Sequence, residues 1–288
     1  MSTIAGKGCP IIMPDGEKKP LKDIERSIIK DYRKQIWVKF IKAIKAYNLI
    51  EEGDKIAVGV SGGKDSILMA KLFQELQKYG QVNFEVVFLA MDPGYHPDIK
   101  KLLIENCEYL NIPIHIYESS IFDVVDKMAN DYPCYLCARM RRGSLYAKAQ
   151  EFGCNKLALG HHYNDVIETT MLNVLYAGNF KTMLPKFKSK NFENLELIRP
   201  MYYIEEDYIK NFINNSGIWP LNCACMVAAE KIGNKRYEIK DLIKTLKENF
   251  DGIEKSIFKS AENVSMDGIL GWQKGKIKHS YLDFYDEE

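Results

Sequence analysis

Residues 57–70, AVGVSGGKDSILMA, constrain this chain more than any other stretch. An apolar run ends in Ser61-Gly62-Gly63-Lys64-Asp65-Ser66 and opens directly into residues spaced for an amphipathic helix. Two glycines let the backbone turn sharply and approach a ligand, and the following helix offers unpaired N–H groups and its positive dipole end. An anion is expected there, with Ser61 and Ser66 as hydroxyl donors and Lys64 as a full charge. The spacing is not that of a Walker loop, which has more residues to wrap a triphosphate. The shorter loop suits a pyrophosphate.

Around this loop, apolar strands alternate with amphipathic helices. KIAVGV reads as a strand, KDSILMAKLFQELQKY as a helix ending at Gly80, and FEVVFLAMD as a second strand. PIHIYES and KLALGHH continue the strands, while LCARMRRGSLYAKAQEF and DVIETTMLNVLYA continue the helices. The alternation predicts an α/β fold, a parallel sheet with helices on both faces and right-handed crossovers. The expected organisation is an irregular arm over 1–20, a helical segment over 21–50 and a central domain over 51–225. A helical extension with a polar, partly ordered tail follows over 226–288.

With 288 residues, 46% of them hydrophobic, the chain can bury a sizeable core. Its 40 Lys and Arg against 39 Asp and Glu leave a net charge of +1, so nucleic-acid binding would rest on local patches. No stretch has the order of a signal peptide or approaches the roughly 18 apolar residues of a membrane span. A cytoplasmic protein with no membrane partner is expected. In a reducing compartment the seven cysteines point to metal or redox chemistry before disulfides. Cys134 and Cys137 of PCYLC stand three apart where a helix begins, so both thiols can face one ion. Cys223 and Cys225 of LNCACM form a second pair in a loop, whereas Cys107 and Cys154, isolated in packing segments, read as small core residues.

The string S-G-G-K-D-S resembles the loop of the PP-loop ATP pyrophosphatases, which split ATP between its α and β phosphates. With the cysteine pairs, the resemblance narrows to the tRNA 2-thiocytidine synthetase family. LIEEGDKIAVGVSGGKDS, CYLCARMRRGSLYAKAQEFG, KLALGHHYNDVIETTMLNVLYAG and IRPMYYIEEDYI carry it over about residues 26–225. It implies an adenine nucleotide α-hydrolase-like sheet, ATP and Mg²⁺, and adenylation of O2 of a cytidine at tRNA position 32. It also implies a [4Fe-4S] cluster on three cysteines, whose open iron carries the sulfide that displaces AMP. Ser61, Gly62, Gly63, Lys64, Asp65, Ser66, Gly160 and His161 then fall at the nucleotide, with Lys64, Asp65 and Asp165 in the chemistry. The implied partners are tRNA and a sulfur donor such as a cysteine desulfurase, and a homodimer is one assembly open to such a chain.

This chain departs from that pattern twice. The family's GHH usually continues with two acidic residues, and here Asn164 precedes Asp165. The family's later cysteine motif resembles PCNLCG, whereas LNCACM leaves Cys223 and Cys225 as alternative third ligands. Four thiolates on one ion would suit a structural Zn²⁺ site in a nucleotide-binding protein without catalysis. Another PP-loop sulfurtransferase, acting on a different tRNA base or a small molecule, is the second alternative. Arg139, Arg141 and Arg142 follow the first cysteine pair, and Lys181, Lys186, Lys188 and Lys190 lie in a later loop. Beside the expected sulfur site these cations suit tRNA phosphates, although charge runs are commonly only solvated faces.

Overall fold

A computed structural model describes residues 16–119, 133–221 and 235–286, with 133–138 by backbone path alone. The chain divides into two compact units, Met1–Val166 with Met183–Tyr237, and Ile167–Thr182 with Glu238–Glu288. Cys223 and Cys225 lie outside the described residues, as does most of the expected arm.

In the first unit, α1 (Leu21–Ile29), a π-helical turn over Arg33–Trp37 and α2 (Val38–Ala46) precede the sheet. Ile24, Ile28, Ile36, Phe40 and Ala43 are buried while Lys22, Arg26 and Lys30 stay exposed, the division expected of amphipathic helices. Phe40 meets Phe73 edge to face at 5.8 Å. Phe73 belongs to α3 (Lys64–Tyr79), whose Ile67, Leu68, Met69 and Leu72 are also buried. Burying each such side chain contributes roughly 1.5–3 kcal/mol. The fully buried Lys71 binds Glu25 at 2.7 Å, Gln74 at 2.7 Å and the Leu110 carbonyl at 3.0 Å, which ties α1 to α3.

The six-stranded sheet comprises β1 (Lys55–Gly59), β2 (Glu85–Asp92), β3 (Ile114–Glu118), β4 (Lys156–Ala158), β5 (Lys186–Lys188) and β6 (Glu196–Ile198). Its order is β3-β2-β1-β4-β6-β5, parallel throughout except for β5 on the edge. The connecting helices are α3, α4 (Pro97–Tyr109), α5 (Pro133–Glu151), α6 (Tyr163–Leu175) and α7 (Glu206–Ser216). Strand order runs outward in opposite senses from β1 and from β4, so the sheet has its switch point between them. In open α/β sheets the crevice beyond the strand ends at that point receives ligands. SGGKDS leaves β1 there and GHHYND leaves β4. KLALGHH is strand only over Lys156–Ala158: Leu159 still donates to the Ile198 carbonyl, and the chain then turns to start α6.

The division between the units falls within α6 and within α8 (Lys235–Asn249). The second unit holds the rest of both helices, α9 (Ile253–Ser260) and a hairpin of β7 (Gly271–Lys274) and β8 (Ile277–Ser280). The sequence predicts a partly ordered tail here, and the structure corrects this to a paired strand ladder. Gly275 takes φ +65° at the two-residue turn, and Trp272 packs on His279 at 3.9 Å between ring centroids. Among the described residues no helix is long and apolar enough to cross a membrane.

Candidate active site

Hydroxyl groups prebuild the phosphate loop. Ser66 Oγ accepts from the Ser61 amide at 3.1 Å and donates to the Gly63 carbonyl at 3.0 Å, and the two serine hydroxyls lie 3.2 Å apart. Gly62 has φ +78°, and a Cβ there would meet Leu221 at 2.6 Å and Leu103 at 2.9 Å. Only glycine satisfies both the turn and the packing. Gly63 then starts α3 with no side chain capping the helix, so the first-turn amides are left to serve an anion. Gly160 packs closely from the other side, where a Cβ would crowd the Asp65 backbone at 3.3 Å.

Three helix N-termini meet here. Lys64 Nζ of α3 binds Asp65 at 2.8 Å and Glu206, in the first turn of α7, at 3.3 Å. Asn164 of α6 accepts from the Glu206 amide at 2.9 Å. His162 places Nε2 3.7 Å from Asp65 and 3.6 Å from Asp165. Three positive dipole ends with carboxylates among them can hold phosphates and a divalent cation together. Among the described residues no three His, Cys, Asp or Glu side chains form a ready metal cage. One or two carboxylates beside phosphate oxygens suit Mg²⁺, which retains water and needs no such cage.

The electrostatics follow from burial and neighbours. Burial acts to lower the Lys64 pKa, and Asp65 and Glu206 more than offset it, so the ammonium is held above its ordinary value. Burial would raise Asp165, but His162, Arg236, His161 and the His162 amide outweigh it and hold the carboxyl at about 2. Arg236 contributes a 3.1 Å ion pair and the His162 amide a 3.0 Å hydrogen bond. Burial is the main cause that lowers His161 to about 4, with Arg199 adding to it and Asp165 opposing it. His161 is therefore neutral at physiological pH, and its Nδ1 accepts from Arg199 Nε at 3.4 Å. Arg199, 6% exposed after β6, also donates to the Leu184 carbonyl but has no carboxylate within ion-pair distance among the described residues. Burial lowers its pKa to about 10. A buried cation with no carboxylate in ion-pair contact favours an incoming anion.

The PP-loop domain family matches residues 33–219 of this chain. The tRNA-cytidine(32) 2-sulfurtransferase of Citrifermentans bemidjiense is 36% identical over 225 residues, spanning 77% of this chain and 88% of that protein. The namesake from Pelobacter propionicus is 36% identical over 81% of this chain and 86% of its own length. This chain belongs to that PP-loop sulfurtransferase family. The family's fold is seen in the U34-tRNA thiolase NcsA from Methanococcus maripaludis, solved with its [4Fe-4S] cluster. It superposes with a TM-score of 0.64 at 24% identity, covering 91% of this chain and 87% of that one.

Against the family's usual paired acids, Asn164 is accounted for by its position. Its side-chain oxygen accepts from the start of α7, which an amide does as well as a carboxylate, while Asp165 faces His162 and Arg236. Ser61, Gly62, Gly63, Lys64, Asp65, Ser66, Gly160, His161 and Asp165 thus gather around one crevice. Cys134 and Cys137 lie in the first turns of α5 by backbone path. The chain leading to Cys223 is pinned to the loop, because Leu221 N donates to the Gly62 carbonyl at 2.8 Å and Asn106 holds the Trp219 carbonyl at 2.7 Å. Cys107 and Cys154 are buried, which pushes their thiols up to about 12 and about 11, so they are inert packing groups. Arg139 and Arg142 are exposed on α5 and Arg141 is half-buried. Lys181 lies in the second unit, and Lys186 is committed to Glu196 at 3.1 Å and the Asn48 carbonyl at 2.8 Å. Sequence reading assigned no role to His162, Glu206, Arg199 and Arg236. His162 stood beside His161 in GHH, and Arg199 and Glu206 lie within IRPMYYIEEDYI, while Arg236 carried no local signal.

Proposed function

We propose that this chain thiolates tRNA at the expense of ATP, adenylating O2 of the cytidine at position 32 and exchanging the activated oxygen for sulfur. The observation that carries the reading is the meeting of three helix N-termini with Lys64 and the buried Arg199, which has no ion-pair contact among the described residues, at the switch point of the sheet. ATP fits there with its leaving pyrophosphate on the Ser61–Ser66 loop. Cytidine O2 attacks the α phosphorus, pyrophosphate departs, and AMP leaves as sulfur takes its place. The gain lies in replacing a poor leaving group by a good one. Lys64 and the loop amides stabilise charge on the departing pyrophosphate. Asp65 and Asp165 are the carboxylates for Mg²⁺, and neutral His161 with Arg199 borders the phosphates.

The cysteines supply an all-thiolate donor set, which suits an iron–sulfur cluster. Cys134 and Cys137 with either Cys223 or Cys225 would hold it, and its chemistry when bound is delivery of sulfide to the activated carbon. The Leu221–Gly62 hydrogen bond supports this, because it holds Leu221, two positions before Cys223 in the sequence, at the phosphate loop. A cysteine desulfurase is the matching sulfur source. The test is iron and acid-labile sulfide on anaerobically purified protein, beside Cys134→Ser, Cys137→Ser, Cys223→Ser and Cys225→Ser. Iron with matching sulfide, lost in three variants and retained in the fourth, is expected together with 2-thiocytidine in the tRNA. Stoichiometric zinc that depends on all four cysteines, with no ATP converted to AMP, overturns the reading.

A further inference from the structure

Charge is segregated along this chain although its total is near zero. Residues 17–45 carry ten Lys and Arg against four Asp and Glu, a net +6. The rest of the chain carries 30 against 35, a net −5. Lys22, Arg26, Lys30, Arg33, Lys34 and Lys42 are all exposed, and among the described residues none is in an ion pair. Acidic neighbours do not neutralise this face: Glu25 is turned to Lys71 and Lys78, which leaves Asp23 and Asp31 as its exposed acids on these helices. Lys22, Arg26 and Lys30 recur every fourth residue, so they form one row on α1.

Beside that row lies a cleft of about 560 Å³, within the roughly 300–1,000 Å³ of small-molecule sites. Lys19, Arg26 and Lys30 edge it together with Asp23 and Asp31, Ile24 and Phe212 form its apolar floor, and Tyr32 and Asn215 supply polar groups. Helix α7 connects this cleft to the active site, because Asn215 and Ser216 line the cleft and Glu206 touches Lys64. Ten residues of helix span about 15 Å. That is about four stacked nucleotides at roughly 3.4 Å each. Lys39 sits over the Tyr208 ring at 5.4 Å between the two ends, and Lys42 sits over the Tyr203 ring, just before α7, at 4.8 Å.

We propose that the basic face of α1 and the π-helical turn docks the tRNA backbone, with the cleft between α1 and α7 seating one nucleotide of the strand that feeds the active site. The proposal rests on the tRNA reading above and adds the surface. The row of unpaired cations matches a phosphate backbone, and a cleft with an apolar floor and three cations to two carboxylates on its edge matches a base whose phosphate lies toward Arg26 and Lys30.

The test compares wild type with the Lys22→Glu/Arg26→Glu/Lys30→Glu triple variant in binding unmodified tRNA across salt concentrations. A matched control, Lys244→Glu/Lys255→Glu/Lys259→Glu, makes the same charge change on exposed lysines of the second unit. The first triple is expected to weaken tRNA at least tenfold and to flatten the salt slope by about 2–3, while ATP affinity is kept. The control is expected to change affinity less than threefold. Ser27→Trp, which fills the cleft without altering charge, is expected to weaken tRNA at least fivefold. Equal losses in the two triples, or wild-type affinity in the first triple or in a folded Ser27→Trp, overturn the proposal. If wild type itself binds no tRNA, the tRNA reading fails instead, and the two failures are separate.

Discussion

Two lysines at opposite ends of β1 are built from the same parts and do different things. Before the strand, Lys156 binds Asp54 at 2.6 Å and Glu51 at 3.0 Å, and Asn155 binds the other Asp54 oxygen at 2.7 Å. After the strand, Lys64 binds Asp65 at 2.8 Å and Glu206 at 3.3 Å. The Lys156 side chain is 2% exposed and the Lys64 side chain 18%. Lys156 is held within the ladder by the pairing of β4 with β1, so its partners have nowhere else to turn. Lys64 stands at an uncapped helix start beyond the carboxyl ends of the strands, where an arriving phosphate can take it from its carboxylates. A lysine with two carboxylates is therefore not in itself a functional signature. Its place relative to the strand ends makes the difference.

The largest effects should separate the two lysines. Lys64→Ala is expected to lower thiolation by about 100- to 1,000-fold, as loss of a donor to developing charge does, with the urea midpoint nearly unchanged. Lys156→Met should instead lower stability by about 3 kcal/mol, because it leaves Asp54 buried without its cation, while turnover per folded molecule holds. Steady-state thiolation and urea unfolding on both variants check the pair, and the contrast fails if either variant behaves like the other.

A smaller effect concerns acid. The unfolded His161 takes up its proton near pH 6.5 and the folded one only near 4. The unfolded state therefore binds more protons between these values, and stability falls by about 3 kcal/mol as pH drops from 6.5 to 4. Above about 7.5 His161 contributes almost no slope. Asp165 acts lower, its stabilisation being present above 3.8 and lost as pH falls through about 2. Urea unfolding of His161→Gln between pH 4 and 7 should show the first slope flattened, and an unchanged slope would remove His161 as its source.

The smallest effect is expected at position 164. Asn164→Asp should alter turnover less than threefold, since either side chain offers an oxygen to the Glu206 amide. Asn164→Ala should cost about 1 kcal/mol by leaving that helix start unsatisfied. A large gain of activity in Asn164→Asp would show that the missing carboxylate was needed for the metal, and the site would have to be redrawn.

Much of this was legible before any coordinates. The phosphate loop could be read because its chemistry is contiguous: strand, glycines, lysine and helix lie within fourteen residues, and each is a local consequence of backbone geometry. The α/β alternation could be read for the same reason, since buried parallel strands and amphipathic helices differ in period. The hairpin over Gly271–Ser280 was harder, as its alternation is short and largely polar.

The place of Glu206, Arg199 and Arg236 in the site could not be read, although IRPMYYIEEDYI holds the first two. Each is an ordinary charged residue in an ordinary local setting, and each acquires a role only because the strand order β3-β2-β1-β4-β6-β5 carries the ends of β1, β4 and β6 to one crevice. Local order along the chain settles which loop can hold a phosphate. Which distant charges surround that phosphate, and which lysine is instead sealed into the sheet, depends on the pairing of strands far apart in the chain, because electrostatic partners are chosen by distance in space.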